Sequence, residues 1–234
     1  MQAIILAGGK GSRLKPFTTN IPKPLVPVDD MPILEVVLRQ LKSQGFKKVV
    51  LAVNHLAELV MAFFGDGRKM GLDISYSMED SPLGTVGPLT LINNLEEKFL
   101  VMNGDLLTTV NFADMFRHHA RNGNDITIAT HQKEVTVDLG VLELKKDDFV
   151  KYIEKPTYRF EVSTGIYIFN KNIISLIPRK RKIDMPELIS KAKKAGRRVK
   201  CYRKKYYWLD IGRPDDYEKA NEIFKEKKKV FLPR

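Results

Sequence analysis

Four short, largely apolar runs have the length of buried strands: residues 2–5, 48–53, 72–78 and 98–102. Segments with apolar residues at helical spacing follow three of them: residues 34–41, 56–64 and 112–120. Strands that alternate with helices in this way are typical of a parallel sheet covered by helices on both faces. The pattern therefore predicts a three-layer α/β fold.

The first helix has boundary signals at both ends. We expect Asp30 to cap its amino end, with Pro32 in the first turn, where proline is favoured. The apolar positions within residues 34–41 then form one stripe that faces the sheet. Gly45 is expected to end the helix.

The later part of the chain is richer in strands: residues 125–130, 140–144, 149–153 and 165–169. We expect these strands to extend the same sheet in an antiparallel or mixed manner. No Pro-, Gly- or Ser-rich linker, repeat or low-complexity segment separates them from the earlier part. The sequence therefore predicts a single domain over residues 1–234.

A glycine-rich turn follows the first strand, with glycines at positions 8, 9 and 11 and the cations Lys10, Arg13 and Lys15 in and directly after it. Glycines let the backbone approach a ligand, and the N–H groups of such a turn can cradle phosphate oxygens. The alternative, commoner for a lone glycine cluster, is a tight turn with ordinary surface lysines. A dinucleotide fingerprint is excluded because Leu14 stands where its last glycine is required, and no P-loop pattern is present.

The turn opens the longer pattern G-G-x-G-S-R-L-x-P at residues 8–16, and P-K-P-L-V-P-V follows at residues 22–28. This pattern resembles the signature of the sugar-1-phosphate nucleotidylyltransferases. The resemblance extends from Gln2 to about Ala220. In its compact form the chain resembles the short guanylyl branch of the family, whose members act on mannose, heptose or hexosamine 1-phosphates for surface glycans. It implies an α/β, three-layer Rossmann-like nucleotidyltransferase fold with a mixed, mainly parallel central sheet.

The resemblance also implies the residues that handle the nucleotide. Arg13 is expected to stabilise the leaving pyrophosphate, and Lys23 to hold and orient the phosphates; both are assigned as catalytic. The residues expected to contact the nucleotide are Leu6, Ala7, Gly8, Gly9, Gly11, Ser12, Glu79, Pro82, Gly84, Thr85 and Asn103.

Residues 79–89 resemble the base-reading loop of the family and depart from its pattern only at Val86. A helix is expected to start near Thr85, and Gly84 is expected to let the base lie against the backbone. An ionised Glu79 only accepts hydrogen bonds, and guanine presents two adjacent donors on one edge. This favours GTP over UTP, although Glu79 alone is equally compatible with a solvated acid at the end of a strand.

Asp105 stands at the end of a buried strand, after a glycine, and Asp210 follows an aromatic and apolar strand and precedes a turn. Taken singly, each aspartate could be a helix cap or a turn residue. The N-G-D motif at residues 103–105 and the W-x-D-I-G-R-P motif at residues 208–214 match the family, and the resemblance implies that the two carboxylates hold Mg²⁺ against the nucleotide phosphates.

The resemblance places the sugar phosphate near a third group of residues: Gly140, Glu154, Lys155 and Thr164. Glu154 is expected to hydrogen-bond the sugar hydroxyls, and Lys155 to hold the sugar phosphate. Ser163 stands where the family commonly has asparagine, so the sugar contact expected at this point lacks its usual side chain.

The net charge is +12, and thirteen of the Lys and Arg residues lie between positions 179 and 205. A nucleic-acid or membrane surface is one interpretation. Since no nucleic-acid-binding motif accompanies the charge and no apolar run is long enough to cross a bilayer, we expect neither partner and interpret the cations as a solvated face. A homo-oligomer is possible.

One cysteine, Cys201, falls in a predicted strand and cannot form an internal disulfide, which favours a cytoplasmic setting. The four histidines show no metal-binding or triad spacing, and His118 and His119 are expected to be exposed on a helix.

Three other functions remain to be separated from guanylyl transfer. One is transfer of a uridylyl or cytidylyl group, and another is regulation of a partner by a silent relative that binds nucleotide sugars. The presence of Arg13, Lys23, Asp105 and Asp210 argues against the silent relative. A basic nucleic-acid binder would show affinity that depends steeply on salt.

Overall fold

A computed structural model describes residues 1–9, 11–79 and 81–232. Lys10, which was expected in the glycine-rich turn, lies outside these ranges. The strands are β1 (Gln2–Leu6), β2 (Pro27–Val28), β3 (Met31–Pro32), β4 (Lys48–Val53), β5 (Asp73–Met78), β6 (Lys98–Asn103), β7 (Leu106–Thr108), β8 (Ile126–Thr136), β9 (Val141–Lys145), β10 (Asp148–Ile153), β11 (Thr157–Asn170), β12 (Val199–Arg203) and β13 (Trp208–Asp210). The α-helices are α1 (Ile33–Ser43), α2 (Ala57–Phe64), α3 (Phe112–Arg121), α4 (Met185–Lys194) and α5 (Pro214–Phe231).

The central sheet has seven strands in the order β12-β8-β11-β6-β1-β4-β5. Strand β1 lies between β6 and β4 and runs parallel to both. Strand β11 runs antiparallel to both of its neighbours, β6 and β8, whereas β12 is parallel to β8. The prediction of a mixed, mainly parallel sheet is therefore confirmed.

Apolar side chains alternate along the inner strands, so each face of the sheet buries its own core. Helices α1, α2 and α3 pack on one face through a stripe that includes Leu34, Val37, Leu38 and Leu41. Helix α4 and the Lys171–Leu176 3-10 helix pack on the other face. These layers give the three-layer arrangement predicted from the alternation. Within the described ranges, no helix has both the length and the apolar character that a membrane span requires.

A third apolar cluster lies beside the sheet, where α5 covers the segments that carry the predicted site. Phe224 and Phe231 of α5 are fully buried together with Leu14, Leu107 and Ile211. Leu14 follows Arg13, Ile211 follows Asp210, and Leu107 lies two residues after Asp105. Burial of two phenylalanines stabilises the fold by several kcal/mol, roughly 2–3 kcal/mol for each ring. The packing of α5 therefore fixes the backbone on which the site is built.

Two of the local predictions about helices are wrong. Asp30 does not cap α1, because the β2–β3 pairing continues through Pro32 and leaves that residue in the N-cap position. Asp30 instead accepts a hydrogen bond from Lys228 Nζ of α5 at 2.5 Å. No α-helix starts near Thr85 in the described residues; the segment forms a 3-10 helix over Gly87–Leu91, with proline in its first turn.

We predicted that the four later strands extend the central sheet, and this is correct for two of them and wrong for the other two. Strands β8 and β11 join the central sheet and are longer than predicted, since they pair from Thr136 and Thr157 down to Ile126 and Phe169. Residues 141–145 and 148–153 do not extend the sheet. They form a separate β9–β10 hairpin that is the connection between β8 and β11.

His119 is fully buried, which contradicts its predicted exposure. The face of α3 that packs on the sheet carries Phe112, Met115 and His119, which follow each other at helical spacing. The ring nitrogens of His119 hydrogen-bond with Thr127 Oγ1 at 2.8 Å and Asn170 Oδ1 at 3.0 Å. Burial lowers the pKa of His119 below 6.5, and the bond to Asn170 opposes this only in part.

We predict that the free energy of unfolding falls as the pH is lowered below about 6.5. In that range the unfolded chain binds a proton at His119 that the folded chain does not bind, so the slope reaches at most ~1.4 kcal/mol per pH unit for this group. Urea unfolding across this range should give a flatter pH dependence for His119→Gln. The matched control His118→Gln, on the same helix, should keep the slope of the wild type, and equal slopes in all three proteins would contradict the assignment.

Candidate active site

The strands β1, β4, β5 and β6 are parallel, and their carboxyl ends open on a cleft of about 310 Å³. This is the edge at which open α/β sheets bind their ligands. The predicted site residues that line the cleft are Leu6, Ala7, Gly8, Gly9, Lys23, Glu79, Pro82, Gly84, Thr85, Asn103 and Asp105. They come from segments that are distant in sequence, so the fold brings most of the predicted nucleotide side together.

The turn after β1 requires glycine at position 11. Gly11 has φ +61°, and a Cβ there would lie 2.8 Å from Cγ2 of the buried Thr18. The Thr18 hydroxyl donates a hydrogen bond to the Gly11 carbonyl at 2.7 Å and fixes the turn. A 3-10 helix over Ser12–Leu14 follows, in which Ser12 and Arg13 are exposed and Leu14 is buried. The predicted residues Gly11, Ser12 and Arg13 are not among those that line the cleft itself.

Lys23 and Asp105 form an ion pair inside the cleft. Lys23 lies in a 3-10 helix over Lys23–Leu25, between two prolines, and its Nζ donates to Asp105 Oδ2. Both side chains are mostly buried, which strengthens their attraction relative to a surface pair. The other oxygen, Asp105 Oδ1, is buried and has no hydrogen-bond partner among the described residues. Asp105 therefore retains an acceptor for a cation or a donor.

Asp210 is brought next to Asp105 by the pairing of β13 with β7. Asp210 lies opposite Leu106, and the N–H of Ile211 donates to the Asp105 carbonyl at 3.1 Å. Partial burial raises the pKa of Asp210, and the Asp105 carboxylate raises it further, while Lys23 and Arg13 oppose the rise. Asp210 is exposed to solvent and is not among the residues that line the cleft itself; it lies beside the cleft through its proximity to Asp105. The site therefore holds two acids that repel each other and two cations that offset this repulsion.

The guanidinium of Arg13 lies on the Asp210 side of the cleft. A Cβ at Gly212 would lie 3.5 Å from Arg13 Nη2 and 3.6 Å from Asp210 Oδ1, so the glycine leaves room for both side chains. Arg13 is exposed, with its donors available to a ligand at the rim.

Glu79 follows β5 and has both carboxylate oxygens engaged. Oε1 accepts from Asn54 Nδ2 at 3.1 Å, and Oε2 accepts from the Leu83 N–H at 2.9 Å. Each carboxylate oxygen can accept a further hydrogen bond, so Glu79 is held in place and still able to bind a donor. Asn54 was not predicted. A polar residue directly after a predicted strand was the signal that identified Glu79, and Asn54 stands in the same position directly after β4. The same signal could have identified Asn54.

Thr85 does not begin an α-helix, as was predicted; it forms hydrogen bonds with the residues at the start of α4. Its N–H donates to Asp184 Oδ1 at 2.9 Å, and its hydroxyl accepts from the Met185 N–H at 2.7 Å. Backbone bonds join Leu83 and Val86 to Ile183 on either side, at 2.9 and 3.2 Å. We call these four hydrogen bonds the α4 clamp.

Gly84 lies within the α4 clamp and has a structural reason to be glycine. Its φ is +79°, and a Cβ would overlap the carbonyl oxygen of Ile183. Sequence analysis missed Asp184 because it lies about a hundred residues from the loop that it holds, and nothing in the local pattern of residues 183–185 indicates the contact.

The predicted sugar-side residues do not line the cleft, and their roles stay predictions. Lys155 pairs with Asp138, with Nζ 3.2 Å from Oδ1. Thr164 is buried, and its hydroxyl donates to the Ala129 carbonyl at 2.9 Å. Glu154 is exposed and Gly140 is partly buried, and a Cβ at Gly140 would overlap the Tyr152 hydroxyl.

The described residues contain no group of three or more His, Cys, Asp or Glu side chains arranged to hold a metal ion. The chain thus offers two carboxylates at this point, those of Asp105 and Asp210. A hard cation bound here would take its other oxygen ligands from water or from a bound phosphate compound.

Comparison with known proteins gives consistent results along the chain. The profile of the Nucleotidyl transferase family matches residues 2–227. The mannose-1-phosphate guanylyltransferase catalytic subunit beta of Dictyostelium discoideum is 34% identical over 226 residues, which are 93% of this chain and 62% of that protein. This chain thus spans less than two thirds of the length of that relative.

Two other similar proteins match over nearly their whole length. The D-glycero-alpha-D-manno-heptose 1-phosphate guanylyltransferase of Aneurinibacillus thermoaerophilus is 31% identical, over 95% of this chain and 97% of its own. The crystal structure of HddC from Yersinia pseudotuberculosis, complexed with GMP-PN, has a TM-score of 0.73 and 28% identity, and the match covers 95% and 99% of the two chains.

We predict that Asp184→Ala loosens the α4 clamp and lowers the free energy of unfolding by about 1 kcal/mol, because the Thr85 N–H loses its acceptor. Asp184→Asn keeps an acceptor oxygen of similar size and should retain most of the stability. Urea unfolding of both variants measures the difference. If Asp184→Ala unfolds at the same urea concentration as the wild type, the clamp contributes nothing to stability.

Proposed function

We propose that this chain, which belongs to the nucleotidyl transferase family, transfers GMP from GTP to a sugar 1-phosphate and releases pyrophosphate. The observation that carries the proposal is the meeting of the glycine turn, Arg13, Lys23, Asp105 and Asp210 at the carboxyl edge of the sheet. Relatives named for the same transfer support it. The product would be an activated sugar for glycan synthesis.

The choice of GTP rests on the geometry of Glu79. Its carboxylate lines the cleft with one free acceptor position on each oxygen, and guanine presents the N1–H and the exocyclic amine side by side. Asn54 and the Leu83 N–H hold the carboxylate in place before the base arrives, which reduces the entropy lost on binding. The HddC structure with GMP-PN is consistent with a guanine nucleotide in this fold.

The cleft also fits a divalent cation, which we propose is Mg²⁺. The buried Asp105 Oδ1 lacks a hydrogen-bond partner in the described part of the chain, and the Asp210 carboxylate is on the adjoining strand. Carboxylate oxygens are the protein ligands that Mg²⁺ prefers, with substrate phosphates and water completing its shell. When bound, the ion would neutralise part of the charge of the triphosphate.

The transfer needs charge stabilisation more than proton transfer. A phosphate oxygen of the sugar 1-phosphate attacks the α-phosphorus of GTP. The bond between the α-phosphorus and the oxygen that bridges it to the β-phosphorus breaks, and pyrophosphate leaves with that oxygen. The attacking oxygen is already ionised at neutral pH, so no general base is required. Lys23, inside the cleft, would orient the phosphates, and Arg13, at the rim, would stabilise the charge on the leaving pyrophosphate.

The sugar 1-phosphate is proposed to lie toward Gly140, Glu154, Lys155 and Thr164. Glu154 and Lys155 are exposed at the end of the β9–β10 hairpin, so both have the freedom to contact a ligand. For Lys155 this contact requires a substrate phosphate to replace Asp138 as its partner. We propose that the phosphate makes this exchange favourable because it carries more charge than a single carboxylate.

Release of pyrophosphate tests the choice of nucleotide directly. With mannose 1-phosphate, heptose 1-phosphate and glucose 1-phosphate as acceptors, we predict that kcat/KM for GTP exceeds the values for UTP, CTP and dTTP by ~100-fold or more, because a pyrimidine leaves an acceptor of Glu79 unpaired. Glu79→Gln should narrow the preference for GTP. A pyrimidine nucleotide used as well as GTP would refute the guanylyl assignment, and no turnover with any pair would refute the activity.

Arg13→Ala is predicted to lower kcat by ~100-fold or more at saturating substrates, because it removes charge stabilisation that develops in the transition state. Steady-state kinetics should show the loss mainly in kcat. The matched control is Arg39→Ala, an exposed arginine on α1 whose removal should leave kcat unchanged. A near-normal kcat for Arg13→Ala would exclude the proposed role of this residue.

A further inference from the structure

A second cavity, of about 850 Å³, lies at the β5 edge of the central sheet, on the face that carries α4. None of the residues that line it also lines the cleft. Its volume is within the range of pockets that hold small-molecule ligands. We call it the edge cavity.

The side chains of β5 explain why the sheet is open at this edge. The parallel register aligns Ile4, Val50 and Ser75 in one row, and the side chains of such a row lie on the same face. Ile4 and Val50 belong to the core beneath α4, whereas Ser75 is exposed. The neighbouring row likewise ends at a partly exposed serine, Ser77. Because serines present little apolar surface, this edge offers a helix little to cover.

The lining of the edge cavity is suited to a molecule that carries hydroxyl groups. Ser75 and Ser77 of β5 line it together with Asn93 and Asn94 of the loop before β6. Their hydroxyl and amide groups can both donate and accept hydrogen bonds, as the hydroxyls of a sugar do. Val50 adds an apolar surface against which the C–H groups of a sugar ring can pack.

The charges of the edge cavity favour an anion. Among the described residues that line it, Lys48 and Lys180 are cationic and Asp73 is acidic. Lys48 is close to Glu96, with Nζ 3.7 Å from Oε1, whereas Lys180 is one of four consecutive cations at positions 179–182. The excess positive charge is therefore at the Lys180 end. It is suited to a single phosphate group, to which lysine binds as a point charge.

A buried glutamine orders the wall that carries the asparagines. The Gln2 side chain donates from Nε2 to the Asn94 carbonyl at 3.0 Å and accepts at Oε1 from the Glu96 N–H at 2.8 Å. Gln2 itself is only 3% exposed. This wall is thus held in place before a ligand arrives, which lowers the entropy that binding costs.

The loop after β5 is the partition between the edge cavity and the cleft. Its residues alternate between the two spaces. Met78, Ser81 and Leu83 line the edge cavity, and Glu79, Pro82, Gly84 and Thr85 line the cleft. A ligand in the edge cavity would therefore contact the back of the loop that carries Glu79.

Leu83 links the two sides of this partition. It lines the edge cavity, while its N–H donates to Glu79 Oε2 at 2.9 Å. Its carbonyl accepts from the Ile183 N–H at 2.9 Å, within the α4 clamp and three residues after Lys180. A ligand that contacts Lys180 and Leu83 thus acts on the residue that holds the Glu79 carboxylate.

We infer that the edge cavity binds a phosphorylated sugar, and that its binding changes the affinity of the cleft for GTP through Leu83. The sugar hydroxyls bond with Ser75, Ser77 and the two asparagines, and the phosphate lies at the Lys180 end. The binding site rests on the lining of the cavity alone, whereas the coupling also rests on the proposed function.

Isothermal titration calorimetry of the full chain without nucleotide tests the binding site. Glucose 6-phosphate is the probe, because its phosphate is not at C1, the position that the proposed transfer uses. We expect saturable binding with a Kd of about 1 mM or tighter. Glucose and inorganic phosphate, which each offer only part of the contacts, should bind at least ~10-fold more weakly.

Two substitutions place the probe in the edge cavity. Ser75→Leu fills the floor with an apolar side chain and should abolish binding. Lys180→Gln removes the charge and should raise the Kd by ~10-fold. The matched control is Lys182→Gln, which removes a neighbouring charge that does not line the cavity and should leave the Kd unchanged. Circular dichroism verifies that all three variants are folded.

Titration of GTP and Mg²⁺ with and without saturating glucose 6-phosphate tests the coupling. The Kd of GTP should change by ~5-fold or more, and by linkage the Kd of glucose 6-phosphate should change by the same factor when GTP is saturating. Ser75→Leu should remove the effect of glucose 6-phosphate on GTP.

The binding site is overturned if glucose 6-phosphate does not bind, if glucose or inorganic phosphate alone binds as tightly, or if Ser75→Leu and Lys180→Gln keep the Kd of the wild type. Complete displacement of the probe by GTP would place it in the cleft and would also overturn the site. An unchanged Kd for GTP overturns the coupling. A protein that binds glucose 6-phosphate in the edge cavity but does not bind GTP would confirm the site and contradict the proposed function.

Discussion

The structure depends on holding two carboxylates side by side. Asp105 and Asp210 lie on adjoining backbone segments because β7 and β13 pair, and the bond from the Ile211 N–H to the Asp105 carbonyl fixes their relative position. Partial burial is the main cause of the raised pKa of Asp210, and the repulsion between the two carboxylates raises it further. Lys23 offsets part of this repulsion through its ion pair with Asp105. A site with this charge pattern is suited to a ligand that brings both anionic phosphates and a cation.

The rest of the fold supports this arrangement. Parallel pairing of β1 with β4 and β6 places the glycine turn, Asn54 and Asp105 at the same edge of the sheet. The cluster that contains Phe224 and Phe231 packs α5 against the segments next to Arg13 and Asp210. The α4 clamp holds the loop after Glu79 from the other side. The residues of the cleft are thus positioned by elements from the whole length of the chain.

Sequence patterns predicted what depends on local and periodic features. The first strands to within one residue at each end, the stripe of α1 and a strand around Cys201 were predicted from sequence patterns, and the structure confirms them. The order of motifs identified most of the residues that line the cleft. The family assignment made from these motifs agrees with the profile that matches residues 2–227.

The errors of sequence analysis arose where contacts are distant in sequence. Asp184 holds Thr85 from about a hundred residues away, and His119 is buried by the packing of α3 rather than by its neighbours in sequence. The β9–β10 hairpin has strand-like periodicity, but whether such strands join the main sheet depends on the length of β8 and β11. The roles of Gly140, Glu154, Lys155 and Thr164 stay predictions, since these residues lie outside the cleft.

A crystal structure of the protein with a GTP analogue and Mn²⁺, with the ion located by its anomalous scattering, tests whether the two aspartates hold a cation against the nucleotide. We expect an anomalous peak within coordination distance of Asp105 and Asp210, with Lys23 and Arg13 contacting the phosphates and the guanine edge on Glu79. A nucleotide bound elsewhere, or a peak that neither aspartate contacts, would contradict this arrangement.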